Sequence, residues 1–191
     1  MASFGQHGDE ELDEAALRAL VSRAVAADPD AWEAIYRRSH PRLFSYARRR
    51  LTSDPAADDA VSETMLRALE KISGFTWRGA GFDAWLYGIL RNVVLESHRQ
   101  AGRTNGSHAP EVPVPGPLDG LVRRDELAEV RAAFDQLPDD DQELLELRVV
   151  AGLSADEVGS VLGRKAGAVR MAQSRALGRL RLGFQGASGG H

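Results

Sequence analysis

The chain has no cysteine. That excludes disulfides, thiolate metal sites, a cysteine nucleophile and any thiol redox sensing by the chain itself. No apolar run is long enough to span a bilayer, so membrane insertion is not expected. The opening MASFGQHGDEELDE is acidic where a signal peptide would be basic and then apolar, which predicts a cytoplasmic protein. Aromatic residues make up only 6% of the 191 residues, so any core must be mostly aliphatic. Lysine is almost absent: Lys71 and Lys165 apart, the cations are arginines. No segment sustains a period of two and no internal repeat is visible, so strands and solenoids are not expected. Hydrophobic residues at 43% and charged residues at 27% exclude a disordered or collagen-like chain.

A net charge of −4 argues against nucleic-acid binding only if the charge is evenly spread. It is not. Between Gly163 and Leu182 stand Arg164, Lys165, Arg170, Arg175, Arg179 and Arg181, with no acid among them. Between Asp139 and Glu157 stand Asp139, Asp140, Asp141, Glu143, Glu146, Asp156 and Glu157, opposed by Arg148 alone. Such segregation creates local fields that the net charge conceals.

Punctuation by glycine and proline divides the chain. GRTNGSHAPEVPVPGPLDG, residues 102–120, has the composition of a flexible linker. Residues 1–16 form an N-terminal extension and 183–191 a loose tail. Two blocks remain, 17–101 and 121–182, and both read as helical. In the first, Trp32, Ile35, Tyr36, Leu43, Tyr46, Ala47 and Leu51 recur at helical spacing, with a kink predicted at Pro41. Asp54-Pro55 opens the next helix, with Asp54 as its cap and Val61, Met65, Ala68, Leu69 and Ile72 as its apolar stripe. A loop containing Phe75, Trp77 and three glycines precedes a helix bearing Phe82, Trp85, Leu86, Ile89, Leu90, Val93 and Val94.

In the second block Leu127, Val130 and Phe134 lead to Leu137-Pro138, and a helix carries Leu144, Leu145, Leu147 and Val149. Gly152 breaks it. Ser154-Ala155-Asp156-Glu157 is a capping box opening a short helix that stops at Gly163. A final helix from about Ala166 to Leu182 has Val169, Ala172, Ala176, Leu177 and Leu180 as its inner stripe. A short helix, a glycine turn and a basic helix fit a helix-turn-helix, with Gly159 where the two helices cross. Outward positions include Lys165, Arg170, Met171, Gln173, Ser174 and Arg175. Arginines suit phosphates and guanine edges, and Gln173 suits adenine if it faces outward. The same pattern also fits an amphipathic helix with a merely solvated basic face.

No catalytic constellation is found. The acids come with no nucleophile and base at a recognisable spacing. His40 and His98 stand apart from any metal-ligand pattern, and no phosphate-cradling glycine loop follows a strand. No enzyme activity, catalytic residue, metal or cofactor is expected.

The C-terminal block resembles region 4 of an extracytoplasmic-function (ECF) sigma factor of the sigma-70 family, of actinobacterial type. The residues that carry the likeness are Leu137-Pro138, Leu144 to Arg148, Gly152-Leu153-Ser154, Glu157-Val158, Leu162-Gly163, Gly167 to Arg170 and Arg175-Ala176. The N-terminal block resembles region 2 through Asp28 to Tyr36, Asp58 to Thr64 and Phe82 to Asn92. The resemblance implies an all-α protein of two helical domains, the second with a helix-turn-helix, joined by a flexible linker. It implies a subunit that binds RNA polymerase core and directs promoter-specific initiation. Asp58, Asp59, Ser62 and Glu63 would face the clamp helices of the largest polymerase subunit, and region 4 the flap. Trp77, Arg78, Gly79, Ala80, Asn92 and Arg99 would meet the −10 DNA. Arg164, Lys165, Arg170, Met171, Ser174, Arg175 and Arg179 would meet the −35 DNA. An anti-sigma factor is the further partner implied. The chain departs from the family at Arg164-Lys165-Ala166, where many members open with a Ser-type cap, and at Ala172, where many are basic. A stand-alone helix-turn-helix regulator is the rival reading, but it needs neither the acidic Asp58–Glu63 helix nor the aromatic loop.

Overall fold

A computed structural model of the chain describes residues 14–77, 80–104 and 124–188. The predicted linker at 102–120 and the first residues of the extension fall largely outside these. Eight α-helices follow in order: α1 Glu14–Val25, α2 Pro29–Arg48, α3 Asp54–Lys71, α4 Phe82–Thr104, α5 Arg124–Asp135, α6 Asp139–Leu145, α7 Ala155–Leu162 and α8 Ala166–Ser188. No strand occurs among the described residues.

Local chemistry sets the helix ends. Asp28 caps α2, accepting from the amides of Asp30 and Ala31 at 3.0 and 3.2 Å, with Pro29 fixing the first turn. The Arg23 guanidinium donates to the same carboxylate at 2.8 Å, and with the Ala31 amide holds it below the usual aspartate range. Helix α2 continues through Pro41. The cap of α3 is Ser53, one residue before the expected Asp54: its hydroxyl accepts from the Ala56 amide at 3.3 Å, and Asp54 instead pairs with Arg48. The capping box of α7 is complete. Ser154 Oγ accepts from Glu157 N at 3.2 Å and Glu157 Oε2 accepts from Ser154 N at 2.7 Å. Gly163, left-handed at φ 66°, ends α7.

Helices α1 to α4 pack as one unit, α2 against α1 and α3, and α3 against α4. Helix α1, which no sequence signal marked out, buries Leu17, Val21 and Ala24. In the second unit α8 packs against α5, α6 and α7. Leu69 and Leu177, assigned to inner stripes from the sequence, are instead well exposed. Each is at the rim of its stripe, where a helix of 3.6 residues per turn has already rotated away from its neighbour.

The two units touch. Helix α4 packs along α7, and one continuous cluster of buried apolar side chains runs from Leu17 to Ala176 across the boundary. The two linker-joined units expected from the sequence thus also pack on each other. The contact lies between α4 and α7 rather than through the linker.

A second unexpected feature lies at the end of α6. Residues Glu146–Val150 form a π-helical turn before Gly152, where φ is 71°. The wider turn carries Glu146 and Leu147 inward and leaves Val149 and Val150 exposed. An inserted residue of this kind is typical of functional positions in helices.

Candidate nucleic-acid interface

Helix α8 divides cleanly by face. Val169, Ala172 and Ala176 are buried against α7 and α6, whereas Arg164, Lys165, Arg170, Met171, Ser174, Arg175 and Arg179 are all exposed. Met171 is 64% exposed, which places it on the outward surface. Ala172, the position of the family's basic residue, lies inside, where an arginine would have to break the packing.

The pitch between α7 and α8 is set by a close approach. A Cβ on Gly159 would lie 2.5 Å from the Arg164 carbonyl oxygen, so only glycine lets the chain pass there. Gln173 does not face outward. Its Oε1 accepts from Arg148 Nε at 2.8 Å, so its carbonyl is turned toward the π-helical turn and away from any groove. Two of the outward arginines hold intramolecular partners at the start of α6. Arg164 donates to Asp140 at 2.6 Å, and Arg179 donates to Asp141. The acidic run beginning at Asp139 thus lies directly behind the basic helix.

On α3, Asp58, Asp59 and Ser62 are exposed and Glu63 is half-buried. Asp58 lies 3.4 Å from His40 Nε2, and the His40 ring sits between Tyr36 and Phe44 with centroids at 5.2 and 6.0 Å. Glu63 accepts from Arg67 at 2.7 Å, and Arg67 also forks onto both oxygens of Glu96. That fork holds the Glu96 carboxyl below its ordinary range. Leu66, 58% exposed, and Leu69 continue the same surface, so the acids border exposed apolar side chains, of which the sequence had assigned Leu69 to the interior.

The aromatic loop is built on Phe75. Its ring meets Trp77, Phe82 and Trp85 at centroid distances of 5.2, 5.3 and 5.1 Å. Phe82 is fully buried, and Phe75, Trp77 and Trp85 are partly so against the core. Trp77 also carries the Arg18 guanidinium of α1 4.4 Å above its ring. Ala80 is half-buried, while Arg78 and Gly79 lie outside the described residues. Asn92 and Arg99 lie elsewhere, lining a polar depression of about 170 Å³ between α3 and α4 with Arg67, Lys71 and Glu96. Of the described −10 candidates, Trp77 and Ala80 thus lie at the loop and Asn92 and Arg99 along α4.

Sequence reading missed the role of the acids between the units. Glu143 accepts from Tyr46 Oη at 2.6 Å and from Arg91 Nε at 3.0 Å. Glu146 pairs with Arg50 and, at 3.3 Å, with Arg49. Glu157 Oε1 accepts the Gly81 amide at 3.2 Å, at the end of the aromatic loop. Burial pushes the Glu146 carboxyl up, against the pull of Arg50. Burial likewise pushes the Tyr46 and Tyr87 phenols well above their ordinary value. The signal was present as an acidic run facing a block rich in arginine, but spacing along the chain could not show that the two meet.

Against known families, residues 35–104 match the model for Sigma-70 region 2 and residues 133–182 match Sigma-70, region 4. The chain belongs to the ECF sigma factors. The ECF RNA polymerase sigma factor SigD of Mycobacterium tuberculosis is 36% identical over 174 residues, covering 86% of this chain and 82% of that one. ShbA of Streptomyces griseus, another ECF sigma factor, is 35% identical over 176 residues, covering 85% and 92%. Among solved structures, the sigma factor RpoE of Bartonella quintana, in complex with the anti-sigma factor NepR, aligns with a TM-score of 0.66 at 25% identity. The alignment covers 80% of this chain and 96% of that one. CnrH, in complex with the cytosolic domain of CnrY, aligns with a TM-score of 0.64 at 25% identity, covering 89% and 96%. As an ECF sigma factor the chain binds RNA polymerase and directs promoter-specific initiation of transcription. No described helix is long and apolar enough to cross a membrane.

Proposed function

We propose that this ECF sigma factor works through two units with divided roles, residues 17–101 and 121–182, with 102–120 as the segment between them. The first engages polymerase core with α3, through Asp58, Asp59, Ser62 and Glu63, and meets the −10 element through Trp77, Arg78, Gly79, Ala80, Asn92 and Arg99. The second places α8 in the major groove of the −35 element. Carboxylates on α3 form charge-assisted pairs with cations of the largest subunit, and the exposed Leu66 adds apolar contact. Arg164, Lys165 and Arg179 meet phosphates, while Arg170, Met171, Ser174 and Arg175 lie near base edges. The chain contributes no chemistry of its own; phosphoryl transfer belongs to the polymerase. It acts in the cytoplasm and is held in check by an anti-sigma protein; the similar sigma factor RpoE is itself found in complex with the anti-sigma factor NepR.

The observation that carries the DNA-binding assignment is the division of α8. Arg170, Met171, Ser174, Arg175 and Arg179 are exposed on it, with Arg164 and Lys165 exposed just before it, while Val169, Ala172 and Ala176 are buried, and a glycine crossing fixes its pitch. Run-off transcription with purified core polymerase on promoter fragments tests the whole reading. Transcripts that require this protein and disappear when the −35 element is scrambled are expected. Tight duplex binding without core, and no core-dependent transcript, would defeat it.

A further inference from the structure

The outward face of α8 is useful only if the helix holds a fixed rotation about its own axis. Each residue is separated from the next by about 100° around an α-helix, so a small roll exchanges one groove-facing side chain for another. Two structural pins oppose such a roll. One is the Gly159–Arg164 crossing at the N-terminal end of α8. The other is Arg148.

Arg148 is half-buried on the π-helical turn Glu146–Val150. Its Nε donates to Gln173 Oε1 at 2.8 Å, and its Nη1 donates to the Leu153 carbonyl. Leu153 immediately precedes Ser154, the cap of α7. One guanidinium thus joins the turn after α6, the entry to α7 and the middle of α8. Gln173 lies next to Ser174 in sequence and one turn from Arg170, so it is anchored among the side chains nearest the DNA. A guanidinium donates in a planar fork with fixed directions, which lets it orient a partner as well as attract it.

Other features of the molecule carry less. The cleft of about 590 Å³ between the units holds Arg49, Arg50 and Arg91, which are already paired with Glu146 and Glu143. Exposed Val149 and Val150 have no observation that indicates what would cover them.

We propose that Arg148 is a positioning residue for −35 specificity, setting the rotation of α8 through Gln173 without touching DNA. This rests on the proposed docking of α8 on the −35 element. The experiment uses full-length protein with core polymerase on a library of −35 variants, comparing wild type with Gln173→Leu, Gln173→Glu and Arg148→Met. Gln173→Leu removes the acceptor. It is expected to lower the ratio of best to singly substituted −35 elements about tenfold, the scale of a charge-assisted hydrogen bond, across several positions at once. Gln173→Glu keeps an acceptor for Arg148 and should restore the ratio to within about twofold, on the same scale. Arg148→Met should match Gln173→Leu, and the double substitution should be no worse than either alone. Core binding of Gln173→Leu, measured by competition, should stay at the wild-type value.

An unchanged ratio in Gln173→Leu would overturn the proposal. So would a preference altered at a single base pair with Arg148→Met silent, which would make Gln173 a base reader. Equal loss on every promoter in both Gln173 variants would also overturn it, reducing the contact to fold support. A wild-type protein indifferent to the −35 element would instead sink the assignment of α8 to DNA, and is recognisable as a separate failure.

Discussion

Glu146 and Arg50 form an ion pair at the boundary between the two helical units, with Glu146 only 5% exposed. Arg49 reaches the other carboxylate oxygen at 3.3 Å. Truncating Glu146 leaves the Arg50 guanidinium buried without its carboxyl acceptor, which even a protonated carboxyl would still supply, and removing one partner of a buried pair typically costs about 3–5 kcal/mol. Glu146→Ala is therefore expected to part the units while each keeps its helices. The lack of native cysteine makes the measurement clean: cysteines introduced at exposed Thr52 and Ser160 carry the only two dyes. Energy transfer between them should fall in Glu146→Ala, and transfer at the wild-type level would show that the pair does not hold the units together.

The same carboxylate gives the closed form a pH dependence. Glu146 faces Arg49 and Arg50, with Glu143 and Tyr87 nearby, and burial raises its folded pKa above that of an exposed glutamate. A raised folded pKa means that the docked state binds the proton more tightly than the parted state. Its contribution to docking is complete below the ordinary glutamate range and declines as pH rises through the raised value. Dye transfer in the doubly labelled protein should therefore increase on mild acidification, and Glu146→Gln should flatten the profile. A wild-type profile that slopes the other way would refute the assignment.

Gly159→Ala tests the helix crossing. Its Cβ would meet backbone, the Arg164 carbonyl oxygen at 2.5 Å, so no side-chain rotation relieves the clash. Overpacking of this kind costs about 1–3 kcal/mol and must separate α7 from α8. Transcription that depends on the −35 element should fall at least tenfold, about the rate equivalent of 1.4 kcal/mol, while competition for core polymerase stays unchanged. Equal loss in both assays would mean that the substitution unfolds more than the helix-turn-helix.

Asp140 and Asp141 hold Arg164 and Arg179, two cations proposed for phosphate contact. Each pair must open, or be shared, when a phosphate arrives. Asp140→Asn should strengthen promoter binding by holoenzyme on all −35 variants alike. It should also steepen the salt dependence by up to about 0.9 in the log–log slope, the increment for one further neutralised phosphate. Arg179→Ala should do the reverse. Binding titrations at several salt concentrations distinguish the two, and an unchanged slope in both would remove these arginines from the phosphate contacts.

Leu66 offers a separate test of the polymerase surface. At 58% exposure it contributes little to the core, so Leu66→Ala should leave the thermal midpoint of the free protein within a degree or two, in line with surface substitutions generally. Affinity for core should nonetheless fall several-fold, roughly 1 kcal/mol for the apolar area lost from the contact. Wild-type affinity would remove α3 from that interface.

Helical periodicity located α2, α3, α4, α7 and α8 because each has a one-sided apolar stripe, and the Ser154–Glu157 box marked its helix start to the residue. Helix α1 escaped because its buried set, Leu17, Val21 and Ala24, is short and surrounded by alanine. The π-helical turn escaped because an extra residue per turn leaves no compositional mark. Gln173 was misjudged for a physical reason. It sits at the edge of the outward arc, and only the approach of Arg148 from another helix turns its amide inward. Trp77, which the resemblance assigns to −10 DNA, has Arg18 over one face, a contact between residues far apart in sequence. Local signals record stripes and caps; contacts between distant segments leave no comparable trace.

The docking of α4 against α7 also sets the terms on which the units compete with outside partners. The segment between Thr104 and Arg124 cannot extend beyond roughly 70 Å, so the second unit never leaves a small volume around the first. Within such a volume a tethered partner is present at an effective concentration on the order of a millimolar. A contact with an intrinsic dissociation constant near that value, about 4 kcal/mol, already keeps the units together half of the time. Diluting the protein does not shift this balance, because both halves travel on one chain. Polymerase and promoter must therefore displace a neighbour whose concentration is set by the chain itself and stays the same at every level of expression.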